Sequence, residues 1–142
     1  MRAFKPFLTR IVALLLLATP LPAANASSQV ERARVFAVGG VGYAGTMSEG
    51  EKSLRAVLKQ SDAVARLDSL LPNASAAGEL YIPLGLRLRD HTAYKRALAR
   101  CAEHDATVET MRGCTVGRES FRDLVHQIDH GAFDASIQRP AW

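Results

Sequence analysis

The sequence lacks most of the features that identify a catalytic class. It contains no Gly-x-Ser-x-Gly motif, the pattern that places a nucleophilic serine in α/β-hydrolases. Its two cysteines, Cys101 and Cys114, do not have the Cys-x-x-Cys spacing of redox proteins. The apolar run at 11–18 (IVALLLLA) is shorter than the about 20 residues that cross a bilayer. We therefore predict no catalytic residues and no cofactor.

An excess of charge of one sign is also missing from most of the chain. The formal net charge is +4, but three of the 18 basic residues and none of the 14 acidic residues lie in the first 26 positions. The remainder is close to neutral. A neutral domain has no general electrostatic attraction to nucleic acid or anionic lipid, so the sequence predicts that neither is a partner.

The N-terminus has the layout of a secretory signal peptide. Three basic residues (Arg2, Lys5 and Arg10) precede the apolar run, and Ala24-Asn25-Ala26 follows it as a small-x-small cleavage pattern. Residues 1–26 are therefore predicted to be a signal peptide. The mature protein would begin at Ser27, have no membrane span, and be periplasmic or secreted.

An oxidising compartment favours pairing of the two cysteines. A bond between Cys101 and Cys114 would close a short loop and contribute roughly 3 kcal/mol to stability in the chain-entropy model. The sequence thus predicts one structural disulfide.

Apolar spacing indicates several short helices in residues 27–142. The clearest, 49–59, follows Ser48 and Glu51 in a capping box. Four others are expected near 61–71, 80–88, 90–101 and 118–130, although Pro83 would kink the third of the five. Two short strands are expected, at 33–38 and 107–111.

The predicted fold class is mainly α: a small bundle or short helical array of four to five amphipathic helices, at most two short strands and one disulfide. Residues 27–142 would form a single helical domain. Within it, 27–32 is expected to be a loose leader, and 132–142 a C-terminal tail without periodicity.

Short motifs spread over the predicted domain support a resemblance. They are Leu80-Tyr81 followed by Gly85-Leu86, then Tyr94, then 108–114 (VETMRGC). The chain resembles small uncharacterised exported bacterial proteins with an LY…GL helix and a Met-x-Gly-Cys turn, from which it differs at Pro83. The resemblance implies export and disulfide bonding, and no activity.

A glycine-rich segment holds the predicted binding residues. Gly40, Gly42 and Gly45 match Gly-x-Gly-x-x-Gly, but the helix is capped three residues later, at Ser48. We interpret the segment as a flexible turn rather than a dinucleotide site. Tyr43 within it is predicted to be exposed, as a contact residue for a partner.

The alternative to simple binding is a metal site. His126 and His130 are four residues apart on a predicted helix, so they can share a face, and His104 could add a third ligand. A disulfide would remove the two thiols from such a site.

Two hypotheses for function follow. The first is an exported, non-catalytic protein-binding module of the cell envelope, acting as an accessory subunit or as an inhibitor or immunity protein. The alternative is a small histidine- or metal-dependent hydrolase of the envelope. A purely structural envelope protein cannot be separated from the first hypothesis by sequence.

Overall fold

The computed structural model describes residues 22–102 and 104–140, and these residues form seven α-helices and three strands. The helices are α1 (Pro22–Glu31), α2 (Glu49–Leu58), α3 (Ala63–Leu70), α4 (Ala76–Arg87), α5 (His91–Cys101), α6 (Phe121–Asp129) and α7 (Asp134–Gln138). The strands are β1 (Val35–Phe36), β2 (Thr107–Arg112) and β3 (Thr115–Ser120), and a 3₁₀ turn (Leu71–Asn73) follows α3.

The strands form one mixed sheet in the order β1-β2-β3. β1 pairs in parallel with β2, with Val35 opposite Glu109, and β2 pairs antiparallel with β3. A two-residue turn, Gly113-Cys114, joins β2 to β3, and Gly113 takes the positive φ of 55° that such a turn needs at its first position. The prediction of a helical bundle with at most two strands is therefore wrong. The third strand occupies part of the sequence assigned to the last helix.

Helix α4 lies at the centre of the fold. It packs against α1, α2, α3, α5 and α6, and against β1 and β2. Every residue from Ala77 to Leu86 except Glu79 is buried, and Pro83 lies within this stretch. Burial of so much apolar surface outweighs the helix-breaking tendency of one proline.

Helix α1 replaces the loose leader expected at 27–32. It begins at Pro22 and buries Ala26, Ser27 and Val30, so the predicted cleavage point after Ala26 falls inside a packed helix. Residues 1–21, which carry most of the predicted signal peptide, lie outside the described residues. The described residues supply no evidence of secretion. None of the helices they form is long and apolar enough to cross a membrane.

The predicted disulfide is also wrong. Cys101 is buried at the end of α5, whereas Cys114 is exposed at the tip of the β2–β3 turn, and both are free thiols. Strand β2 lies between them in the sequence. A disulfide needs its two Cα atoms within about 7 Å, and the buried Cys101 and the exposed Cys114 are not paired.

The C-terminal tail contains α7 and packs on the core. Phe133 and Ile137 are buried, and the Phe133 ring meets the Phe36 ring edge-on with centroids 5.2 Å apart. The tail therefore lies beside β1 and the loop that follows it.

Candidate functional site

The glycine-rich segment between β1 and α2 is an ordered loop. The Val41 N–H donates to the Thr46 carbonyl at 2.8 Å, and the Gly42 N–H donates to the Gly113 carbonyl, also at 2.8 Å. We call residues 39–47 the glycine loop. It is held against the β2–β3 turn, and it is not the flexible turn expected from its composition.

A buried carboxylate fixes the start of the glycine loop to α2. The Gly39 N–H donates to Glu51 Oε2 at 2.7 Å. Arg55, one turn further along α2, donates from Nε and Nη2 to Glu51 Oε1 at 3.0 and 2.8 Å. Glu51 has no solvent exposure, so its charge is balanced inside the protein by Arg55.

Arg55 also connects α2 to α7. Its Nη2 donates to the Ser136 carbonyl at 2.5 Å, and its Nη1 donates to the Arg139 carbonyl at 2.6 Å. One guanidinium thus joins the base of the glycine loop to the C-terminal segment.

Tyr81 provides a second anchor. Its hydroxyl accepts from the Ala37 N–H and donates to the Ala37 carbonyl, both at 2.9 Å, and Ser48 Oγ donates to the same carbonyl at 2.6 Å. Burial raises the pKa of Tyr81, so the hydroxyl remains a donor. Both backbone polar groups of Ala37, the residue that follows β1, are therefore bonded to the side chains of Tyr81 and Ser48.

A cleft of about 350 Å³ opens between the glycine loop, α2 and the C-terminal segment. Its walls include Gly40, Gly45, Met47, Lys52, Arg55 and Arg139. Charged and apolar groups thus share one concave surface.

The predicted binding residues have different places in this loop. Gly40 and Gly45 line the cleft, and a Cβ on Gly40 would lie 2.9 Å from the Gly45 carbonyl oxygen, so only glycine fits there. Gly42 has a φ of 70° and forms the turn beside Tyr43. Tyr43 is fully exposed, as predicted. That these residues contact a partner stays a prediction.

The histidines of the alternative metal site occupy two separate places. The His126 and His130 rings are stacked with centroids 4.0 Å apart, and His130 Nδ1 lies 2.8 Å from the His126 carbonyl oxygen. His104 instead places Nδ1 2.6 Å from Glu79 Oε2, and its ring is tilted against that of Phe121 with centroids 4.7 Å apart. In the described part of the chain, no group of three or more His, Cys, Asp or Glu side chains could hold a metal ion.

Cys101 is the thiol closest to the His104–Glu79 pair. Its Sγ lies 3.6 Å from the Glu79 carbonyl oxygen. Burial raises the pKa of Cys101 to about 12. The side chain is therefore a neutral thiol near pH 7, and a nucleophile would need the thiolate.

Sequence reasoning missed the role of the basic residues on α2. Lys52, Arg55 and Lys59 are three and four residues apart, which places them on one side of the helix. This spacing is the signal in the sequence by which the basic side of α2 could have been identified. Two arginines further along the chain have structural partners instead: Arg87 pairs with Asp134 at 3.1 Å and Arg96 with Asp68 at 3.5 Å.

A hydrogen bond between α5 and α6 gives a prediction for pH dependence. Tyr94 donates to Asp129 Oδ1 at 2.6 Å. Burial and this bond raise the pKa of Tyr94 to about 12, and the same bond lowers the pKa of Asp129 below 3.8. The contribution of Tyr94 to the free energy of unfolding is present below its unfolded pKa of 10, and it is lost as the pH rises towards 12. The contribution of Asp129 to the free energy of unfolding is present above about pH 4, and it is lost as the pH falls.

Tyr94→Phe should therefore flatten both the acid and the alkaline limb of stability against pH. The measurement is the free energy of unfolding in urea across the pH range. Tyr43→Phe, which removes an exposed hydroxyl, is the matched control and should retain both limbs. An acid limb of unchanged slope in Tyr94→Phe would show that the bond does not tune Asp129.

Comparison of the chain with protein-family models, curated proteins and solved structures found no match. Function must therefore be argued from the geometry.

Proposed function

We propose that this protein is a non-catalytic binding module that holds a protein partner through the glycine loop and the cleft beside it. The observation that carries this proposal is the full exposure of Tyr43 on a loop that is itself fixed in place. Tyrosine is enriched among the residues that dominate binding energy at protein interfaces, where it is buried by the partner.

The anchoring of the loop supports recognition rather than chance exposure. Hydrogen bonds from Val41, Gly42 and Gly39 hold both arms of the loop and its base. A side chain presented by an ordered loop loses less conformational freedom on association than one on a mobile segment, so more of the contact energy appears as affinity.

Two buried groups support binding over turnover. The Glu51 carboxylate is fully buried and engaged by two partners, and Cys101 is a neutral buried thiol. Glu51 lies in the wall of the cleft, but both of its oxygens are engaged by Gly39 and Arg55, and Cys101 is not among the residues that line the cleft. The cleft offers a shaped surface with fixed charges, which suits recognition.

The test is a Tyr43→Ala variant measured against the native partner. A photo-crosslinking amino acid placed at position 43 identifies the partner in extracts of the source cells. The same amino acid at Thr92, an exposed position at the start of α5, is the control. The binding affinity of the purified pair is then measured with and without the substitution.

We expect Tyr43→Ala to weaken binding by about 10- to 30-fold, as for an interface hot spot. Its melting temperature should not change, because the side chain makes no buried contact. Equal crosslinking from positions 43 and 92, or unchanged affinity in Tyr43→Ala, would contradict the proposal.

A further inference from the structure

A second groove continues from the cleft along α2. It lies between the C-terminal end of α2, the end of α4 and α7, and its volume is about 390 Å³. The floor is aliphatic and comes from Leu58, Leu88 and Ile137. Arg55, Arg139 and Pro140 line both the cleft and the groove, so the two form one continuous surface.

The charged side chains that line the groove are all basic: Arg55, Lys59, Arg89 and Arg139. Arg55 is balanced by Glu51. The other three have no carboxylate within ion-pair distance among residues 22–102 and 104–140. Since the chain is almost neutral beyond its N-terminus, this concentration of positive charge is local.

One of these cations is held in place by the fold. Arg89 Nη2 donates to the carbonyl of Leu58, at the C-terminal end of α2. This contact keeps the guanidinium beside the aliphatic floor. Lys59 and Arg139 are exposed on the opposite sides of the groove.

We propose that this groove binds an acidic segment of the partner protein, in which carboxylates flank an aliphatic side chain. The proposal rests on the proposed function and names the chemistry of the partner. The aliphatic residue would cover Leu58, Leu88 and Ile137, while the flanking carboxylates meet Lys59, Arg89 and Arg139. An extended segment fits because the groove and the cleft are continuous.

The lining favours a peptide over a nucleic acid. Single-stranded nucleic acids are held by aromatic side chains on which bases stack, together with a basic track. The lining residues of this groove include no aromatic side chain, and its floor is aliphatic. An aliphatic floor with a basic rim matches a peptide that alternates acidic and apolar residues.

The test uses a fluorescein-labelled peptide, Asp-Glu-Leu-Glu-Asp, titrated by the whole protein and followed by fluorescence anisotropy. One comparison peptide replaces each acidic residue with its amide, and another replaces the leucine with glycine. A ten-nucleotide poly-uridine strand probes for nucleic acid. We expect the amide peptide to bind about tenfold more weakly, because the charges provide the attraction. Affinity for the acidic peptide should fall with added salt.

The critical variant is Lys59→Glu combined with Arg139→Glu, which should weaken binding of the acidic peptide by more than about tenfold. Arg100→Glu combined with Arg122→Glu makes the same charge change at exposed positions away from the groove and should bind normally. Thermal unfolding of both double variants shows whether they are folded. Equal binding of the acidic and amide peptides, equal loss in the control, or tighter binding of poly-uridine would overturn the proposal.

Tyr43→Ala separates this proposal from the proposed function. The short peptide should still bind to Tyr43→Ala, because Tyr43 does not line the groove. Loss of the complete partner in Tyr43→Ala with retention of the peptide supports both proposals. If only the double variant at Lys59 and Arg139 loses the partner, the groove proposal stands and the loop proposal fails.

Discussion

Arg55→Leu should lower the free energy of unfolding by about 3–5 kcal/mol, the cost of leaving a buried charge without its partner. The Glu51 carboxylate has no solvent exposure, and Arg55 is its only counter-charge among the described ion pairs. The substitution also removes the donors to the carbonyls of Ser136 and Arg139. Urea unfolding at neutral pH gives the measurement.

A double variant separates the charge effect from lost packing. In Glu51→Leu combined with Arg55→Leu, neither charge is buried, although the Gly39 N–H loses its acceptor. We expect the double variant to be more stable than Arg55→Leu alone, because apolar replacement of a complete buried pair is tolerated better than removal of one member. A loss below about 1 kcal/mol in Arg55→Leu, typical of surface pairs, would contradict the description of this pair as buried.

Gly78→Ala should destabilise the protein by about 2–3 kcal/mol, as expected when a well-packed interior is overfilled. Glycine to alanine inside a helix normally stabilises by about 1 kcal/mol. Here a Cβ would lie 2.6 Å from the Val30 carbonyl oxygen and 2.8 Å from that of Glu31. These are backbone atoms of α1, so α1 itself must move. The loss should appear in thermal unfolding and as faster amide exchange in α1.

Gly85→Ala in the same helix is the matched control. Its Cβ would approach Leu54 Cδ1 at 2.8 Å and Leu67 Cδ1 at 2.9 Å, which are ends of side chains that can rotate. We expect a smaller loss than for Gly78→Ala. A stabilised Gly78→Ala would show that α1 does not pack against α4 as described.

Local signals in the sequence located several elements correctly. The predicted helix at 49–59 is α2, and Ser48 accepts from the Glu51 N–H as the capping box requires. The other half of the box does not form, because the Glu51 side chain instead accepts from the Gly39 N–H and Arg55. Asp90 caps α5, as expected. These features depend on residues three or four apart, which a sequence displays directly.

The errors concern contacts between distant residues. Strand β3 lacks alternation of apolar and polar residues, and it is stabilised by pairing with β2 and by the Arg112–Glu119 ion pair at 3.0 Å. Helix α7 is short and depends on Phe133 and Ile137 reaching the core. Helix α1 coincides with the predicted processing site. Such elements are stable only in their tertiary context, which their own sequences do not reveal.

Only part of the candidate site could be predicted, because the rest of it also depends on contacts between distant residues. The exposure of Tyr43 could be expected from its glycine-rich neighbours. The role of Arg55 could not, because its carbonyl acceptors are at Ser136 and Arg139, about 80 residues further along the chain.

The parallel pairing of β1 with β2 has a consequence for how the chain folds. Val35 meets Glu109 only after about 70 intervening residues have been synthesised, and such long-range closure slows folding. Helices α2 to α5 can associate earlier, through contacts between near neighbours in sequence. On a ribosome, the sheet would form after these four helices, and in an N-terminal fragment that ends before residue 107 the backbone of β1 should lack its partner strand.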